Sequence, residues 1–199
     1  EIMELQILHW FGSIHNPVLN PIMYFFTCLG NAGIFWILLA LALLTVLPKK
    51  YRKVGLTMAI ALILSLIMCN GVMKNFYHRV RPFVTDPTLQ ETELYGIFAT
   101  IHDWSFPSGH TSASFAAAVA MFMWYKKEGT GALIIAALVS ISRLYLTVHY
   151  PTDVLASLIL GSLYGVIAYF ITVALFNKFP KIRAVFAKGK SYKILLGRK

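Results

Sequence analysis

The chain has 199 residues, 58% of them hydrophobic and 13% charged, with a mean hydropathy of +0.67. A water-soluble domain carries about 25% charged residues, so this composition excludes an ordinary soluble fold, a disordered chain and a disulfide scaffold. It points to a protein whose solvent is the lipid bilayer.

A spanning helix needs about 20 mostly apolar residues. Residues 2–14 precede Pro17 and Pro21 and are expected to form an interfacial amphipathic helix. Asn16 and Asn20, each followed by proline, stand where N-caps with Pro at the first helical position belong. Charge-free runs then place spans at 21–47, 54–73, within 104–125 from Ser108, at 131–148 (interrupted by Arg143) and at 154–177. The expected fold is an all-α polytopic membrane helix bundle of one domain over 1–199. It has about five transmembrane helices, with six possible, and a basic tail at 178–199. Cys28 and Cys69 sit inside apolar runs and read as small packing residues.

Short cytoplasmic loops carry the excess of Lys and Arg. With five spans, Lys49, Lys50, Arg52, Lys53, Lys126, Lys127 and the tail residues Lys178, Lys181, Arg183, Lys188, Lys190, Lys193, Arg198 and Lys199 fall on one side, which is therefore the cytoplasm. Topology and attraction to anionic lipid thus account for most of the net charge of +10, and no nucleic-acid partner is expected.

Lys74, Arg79, Arg81 and Arg143 remain at the outer surface or inside a span, where an unpaired cation is costly. Lys74 and Arg81 are seven apart and share a face if the second span continues to Pro82, whereas Arg79 falls off that face. Ser108, Gly109 and His110 open the third span, where free amides of a helix N-terminus suit an anion. His149 and Asp153 flank Pro151, so they are expected to meet across a helix break, a carboxylate holding the imidazole. His78, His102 and Asp103 read as surface or loop polarity. Five spans bring all three clusters to the outer side.

Lys74, Arg81 and Pro82, then Pro107 to His110, then Ser142, Arg143, His149 and Asp153 resemble the three-part signature of the type 2 phosphatidic acid phosphatase (PAP2) superfamily, complete and in order. The resemblance implies a membrane lipid phosphatase. His149 is then the nucleophile that forms a phosphohistidine, Asp153 its orienting carboxylate, and His110 the acid and later the base. Lys74, Arg81, Ser108, Gly109 and Arg143 bind the phosphate. Arg143 is assigned by the resemblance alone, because six residues before His149 on a regular helix points about 240° away. No cofactor and no metal are implied, and the partner is a lipid phosphate substrate. Undecaprenyl pyrophosphate is the preferred substrate by analogy. Phosphatidate, phosphatidylglycerophosphate and a phosphotransferase of the same superfamily are the alternatives. The expected location is the bacterial cell (inner) membrane, with the site outward and the C-terminus cytoplasmic.

Overall fold

The computed structural model describes residues 2–186, and every regular element in that range is helical. Helix α1 (Ile2–Ser13) packs against the later helices near residues 145 and 152, where His15 bonds the Tyr145 carbonyl and Glu4 the Thr152 hydroxyl. It buries Leu8 completely and leaves Ile2, Met3 and Trp10 exposed.

Helix α2 (Leu19–Gly30) is started by Asn16, whose Oδ1 accepts the amides of Val18 at 3.0 Å and Leu19 at 2.9 Å. These bonds satisfy two of the donors that a helix start leaves free. Asn20, expected as a cap, instead lies in the first turn of α2, where its Oδ1 accepts from the Tyr145 hydroxyl at 2.6 Å. The expected continuous span 21–47 is broken. Ala32 (φ 49°) and Gly33 (φ 67°) are left-handed, and α3 (Ile34–Thr45) restarts the helix on a new axis. Two successive positive φ values interrupt the i to i−4 ladder, which leaves Asn31 on the inner side of the break. Together α2 and α3 make an apolar stretch over Leu19–Thr45, long enough to cross a membrane.

Helix α4 (Arg52–Ser65) runs on through a π-helical segment, Leu66–Met73, into the short α5 (Lys74–Tyr77). The helix stops at Tyr77 because His78 turns left-handed (φ 46°), and Arg81 is extended ahead of α6 (Pro82–Thr85). Lys74 and Arg81 therefore do not share a helical face as expected. They converge by chain reversal instead. Helices α7 (Gly109–Trp124), α8 (Lys126–Tyr145), α9 (Pro151–Lys178) and α10 (Pro180–Phe186) complete the described chain.

Four stretches are long and apolar enough to span a bilayer: Leu19–Thr45, Lys49–Thr85, Lys126–Tyr145 and Pro151–Lys178. At 16 residues α7 is shorter, yet it runs the depth of α4 in the opposite direction. At one end Cys69 reaches the Pro107 carbonyl, and at the other the Tyr125 hydroxyl donates to the Lys50 carbonyl.

Packing between helices in lipid relies on small residues and side-chain hydrogen bonds. Helix α7 fills the centre among α4, α8 and α9, with Ala116, Ala117, Ala118 and Ala120 fully buried. A Cβ at Gly161 would lie 2.4 Å from the Ser112 carbonyl oxygen, and one at Gly165 would lie 2.8 Å from that of Ala116. The backbones of α7 and α9 are thus in direct contact. Trp36 donates to Ser114 at 2.9 Å, Thr57 to Thr172 at 3.1 Å, and Ser65 shares a 2.7 Å bond with Ser112. Leu38, Leu155 and Ile159 face outward, as the lipid-exposed surface of an integral membrane protein does.

The basic residues gather at one end. Lys53 lies over the rings of Trp124 and Tyr125, Lys126 over Phe122 and Lys178 over Phe179, while α10 packs beside the start of α4. Lys188, Lys190, Lys193, Arg198 and Lys199 of the expected tail lie outside the described residues.

Candidate active site

The end of the bundle away from those lysines brings the three sequence clusters together. Three cations meet there, all buried: Lys74 from α5, Arg81 from the reversal after it, and Arg143 from the last turn of α8.

Arg143 and His149 face one cavity because α8 ends at Tyr145. Span four was expected to continue to residue 148. Instead Thr147 adopts a left-handed conformation (φ 53°), held by its amide on the Leu144 carbonyl, and swings His149 back toward the bundle. The 240° separation of a regular helix does not apply across that turn.

His149 Nε2 lies 3.2 Å from Arg81 Nη1. A guanidinium can only donate, so Nε2 carries the lone pair and the ring proton belongs on Nδ1, which faces Asp153 Oδ2 at 3.6 Å. Nδ1 has no hydrogen-bond partner among the described residues, so that separation is a close approach and not a hydrogen bond. Burial, followed by the charges of Arg81, Arg143 and Lys74, pushes the His149 pKa well down and keeps the imidazole neutral.

Asp153 is fully buried in the first turn of α9 and accepts from three sides. Its Oδ2 takes the Tyr150 amide at 2.9 Å, which caps α9, and the Ser105 hydroxyl at 2.5 Å. Its Oδ1 takes Arg79 Nη1 at 2.6 Å. The second nitrogen of Arg79, Nη2, binds Glu4 of α1 at 2.7 Å.

Ser108 occupies the N-cap position of α7 but makes no side-chain capping bond. Its hydroxyl accepts from Thr111 at 3.2 Å, and its amide donates to Ser157 at 2.7 Å. Asn70, from the π-helical segment, abuts Gly109, whose Cβ would stand 3.1 Å from Asn70 Oδ1. His110 Nε2 pairs at 3.0 Å with Asn31 Oδ1 from the break between α2 and α3.

Asp103 proved more than loop polarity. It receives Lys74 Nζ on Oδ2 and Arg81 Nη2 on Oδ1 at 2.5 Å, and its carbonyl takes Arg81 Nε at 2.9 Å. Partial burial raises the Asp103 carboxyl, but the bond from Lys74 and the charges of Arg81 and Lys74 outweigh that and draw it down to about 2. His102 also borders the cavity, whereas His78 packs its ring against Trp104, 5.0 Å between centroids.

The cavity has a volume of about 930 Å³. Its head is lined by Lys74, Arg81, Arg143, His110 and His149, and its body by Leu41, Leu44, Leu62, Ile63 and Leu66 of α3, α4 and the π segment. From Ile34 to Leu44 a helix rises about 15 Å, so an apolar channel leads from the charged head deep between α3 and α4.

The profile of the PAP2 superfamily matches residues 50–177, which contain Lys74, Arg81, His110, Arg143, His149 and Asp153. The protein belongs to that superfamily. It is 28% identical over 198 residues to the lipid A 4'-phosphatase of Bacteroides thetaiotaomicron, covering 96% of this chain and 86% of that one. It is 33% identical over 153 residues to an undecaprenyl-diphosphatase of Bacillus subtilis, covering 77% and 75%. The crystal structure of LpxE from Aquifex aeolicus shares the fold, with a TM-score of 0.68 over 83% of this chain and 94% of that one at 23% identity. This PAP2 protein is thus an integral membrane hydrolase of the lipid phosphatase family. Helix α1, helix α2 and the break after it supply Glu4 to Arg79, Thr27 to Arg143 and Asn31 to His110, and all precede the matched residues.

Proposed function

We propose that the protein dephosphorylates a lipid phosphate or diphosphate at the outer face of the bacterial inner membrane, through a phosphohistidine on His149. The observation that carries this reading is the meeting of three buried cations with the unprotonated Nε2 of His149 at the head of an apolar channel. A phosphate at the head sits at headgroup depth while its hydrocarbon lies between α3 and α4.

His149 Nε2 attacks phosphorus in line, and the bond from phosphorus to the leaving oxygen breaks. His110, protonated once the negative charge of the phosphate has entered beside it, gives its proton to that oxygen, then as a base takes a proton from the water that hydrolyses the phosphohistidine. Asp153 faces Nδ1 and stabilises the imidazolium as it forms. Lys74, Arg81 and Arg143, with the Ser108 hydroxyl and the Gly109 amide, hold the nonbridging oxygens as charge develops. These cations repel a divalent metal, and the reaction proceeds without one. The basic end of the bundle is the cytoplasmic end and the site faces outward, as the distribution of Lys and Arg supports.

Undecaprenyl pyrophosphate is the preferred substrate, supported by the 33% identity to the Bacillus subtilis undecaprenyl-diphosphatase. A second reading, lipid A, is favoured by the lipid A 4'-phosphatase match extending over 96% of the chain, α1 to α3 included. The test is phosphate release, with chelator present, by the purified protein and its His149→Ala variant. Substrates are undecaprenyl pyrophosphate, lipid A, phosphatidate and phosphatidylglycerophosphate. The expected result is metal-independent release that falls about 10³-fold or more in the variant, with the isoprenoid turned over fastest. Phosphorylated acceptor lipid in place of free phosphate would make the protein a transferase, and release that persists in the variant would remove the histidine mechanism.

A further inference from the structure

Arg79 was the one outer cation that the three motifs leave without a role, and its surroundings are unusual. The guanidinium forks between two carboxylates, Nη1 on Asp153 at 2.6 Å and Nη2 on Glu4 at 2.7 Å. Its plane lies over the Tyr150 ring, 3.8 Å from the centroid, and Nη1 also donates to the Thr152 hydroxyl at 2.8 Å. Glu4 closes the arrangement from the other side, its Oε1 accepting the Thr152 hydroxyl at 2.6 Å and the Thr152 amide at 3.2 Å. The chain is tied once more, because the Ser105 amide donates to the Arg79 carbonyl at 2.8 Å while the Ser105 hydroxyl holds Asp153.

We propose that Arg79 and Glu4 are positioning residues of the reaction, an ionic clamp through which α1 fixes Asp153 against His149. The inference rests on the proposed role of His149 as nucleophile. A carboxylate with no exposure must be paired. The neutral imidazole beside Asp153 supplies no positive charge before reaction, so Arg79 supplies it. A lone guanidinium would cancel the charge that His149 needs once its ring becomes an imidazolium. Glu4 prevents this. Two carboxylates around one guanidinium leave the cluster one net negative charge, and the imidazolium formed on phosphorylation neutralises it. The planar fork fixes direction as well as charge, since Arg79 cannot rotate away from Asp153 without releasing Glu4. Glu4 lies on α1, outside the residues matched to the superfamily. The N-terminal helix is thus part of the reaction apparatus.

The clamp is tested on the full chain in detergent, measuring kcat, KM and the pH dependence of kcat for wild type, Arg79→Ala, Arg79→Lys and Glu4→Gln, with His149→Ala beside them. The charged and titratable groups that face His149 from the other elements are Lys74, Arg81, Asp103, His110, Arg143 and Asp153, and all are retained in the Arg79 and Glu4 variants. Arg79→Ala is expected to lower kcat about 10- to 100-fold with KM nearly unchanged. It should also move the acid limb to higher pH by about 0.5 to 1 unit, because a cation that opposes protonation of His149 is gone. Glu4→Gln keeps the hydrogen-bonding shape but removes an anion, so its acid limb should move the other way with a smaller loss in kcat. Arg79→Lys keeps the charge and loses the fork, so it should keep the wild-type limb with reduced kcat. If Arg79→Ala does not fold, the direction of the Glu4→Gln limb decides. Acid limbs that coincide with wild type, with activity lost only in proportion to melting temperature, would overturn the proposal and leave the clamp a structural tie. Activity that survives in His149→Ala would instead remove the nucleophile assignment on which it rests.

Discussion

Arg79 and Arg81 stand two residues apart in one short stretch between helices, and each holds a carboxylate, yet the two pairs differ in kind. The partner of Arg79 is Asp153, a first-turn residue of α9 with no side-chain exposure and three other bonds or close approaches to the protein. The partner of Arg81 is Asp103, on an irregular segment with a side chain 55% exposed, shared with Lys74. Ionic strength of binding does not separate them, since both involve short charge-assisted bonds. Burial of the acid does. A carboxylate that water can reach can leave its cations when a phosphate arrives, whereas one sealed under α9 cannot. Under the proposed mechanism one arginine can exchange its carboxylate for substrate phosphate, while the other keeps its carboxylate and so holds Asp153 in place.

The sharpest way to break this contrast is Arg81→Ala, which removes the donor shared by His149, Asp103 and, under the proposed mechanism, the phosphate. Steady-state hydrolysis should show kcat/KM reduced about 10²- to 10³-fold, a greater loss than in Arg79→Ala. Equal losses in the two variants would mean that the cations are not divided in this way. Asp103→Asn sharpens it from the other side. Without the competing carboxylate, inorganic phosphate and orthovanadate should inhibit about fivefold more tightly, and weaker inhibition would show that Asp103 orders the cations instead of competing for them. The smallest effect concerns pH. The Asp103 pKa is lowered to about 2 from an ordinary 3.8, so its pairing stabilises the fold above pH 3.8 and that contribution disappears as pH falls toward 2. The melting-temperature difference between wild type and Asp103→Asn should be constant from about pH 5 to 9 and shrink in acid. A difference that varies through neutrality would assign the titration to another group.

The three motif clusters and the spans around them were legible because each depends on local information: apolar runs, prolines, and residue types at short spacing. Asp153 was readable as a cap, which it is, and as the carboxylate beside His149, which it faces at 3.6 Å without a hydrogen bond. What escaped depends on chain reversals and on partners far apart in sequence. The break at Asn31 hides in an apolar stretch whose hydropathy signals length and not straightness, so neither the split of α2 from α3 nor the Asn31 contact with His110 was visible. No glycine announces the left-handed turns at His78 and Thr147: histidine visits that conformation only in a minority of cases, and a β-branched threonine rarely does. Without those turns, Arg81 and Arg143 appear on the wrong faces. The tie from Glu4 to Arg79 joins residues 75 apart, and only the surplus cation hinted at it.

The touching backbones of α7 and α9 fix more than their own spacing. Where Gly161 and Gly165 press against carbonyl oxygens, neither helix can slide or turn without one lifting off the other. His110 rides on α7 and Asp153 on α9, so under the proposed mechanism the acid and the orienting carboxylate are mounted on one wall. The channel opens on the opposite side, against α3, which joins α2 only through the short break at Asn31–Gly33. Helix α3 is itself anchored, with Trp36 buried and bonded to Ser114 of α7, so under the proposed mechanism the lipid meets a channel with firm walls on both sides and the bend at Asn31–Gly33 sets its shape.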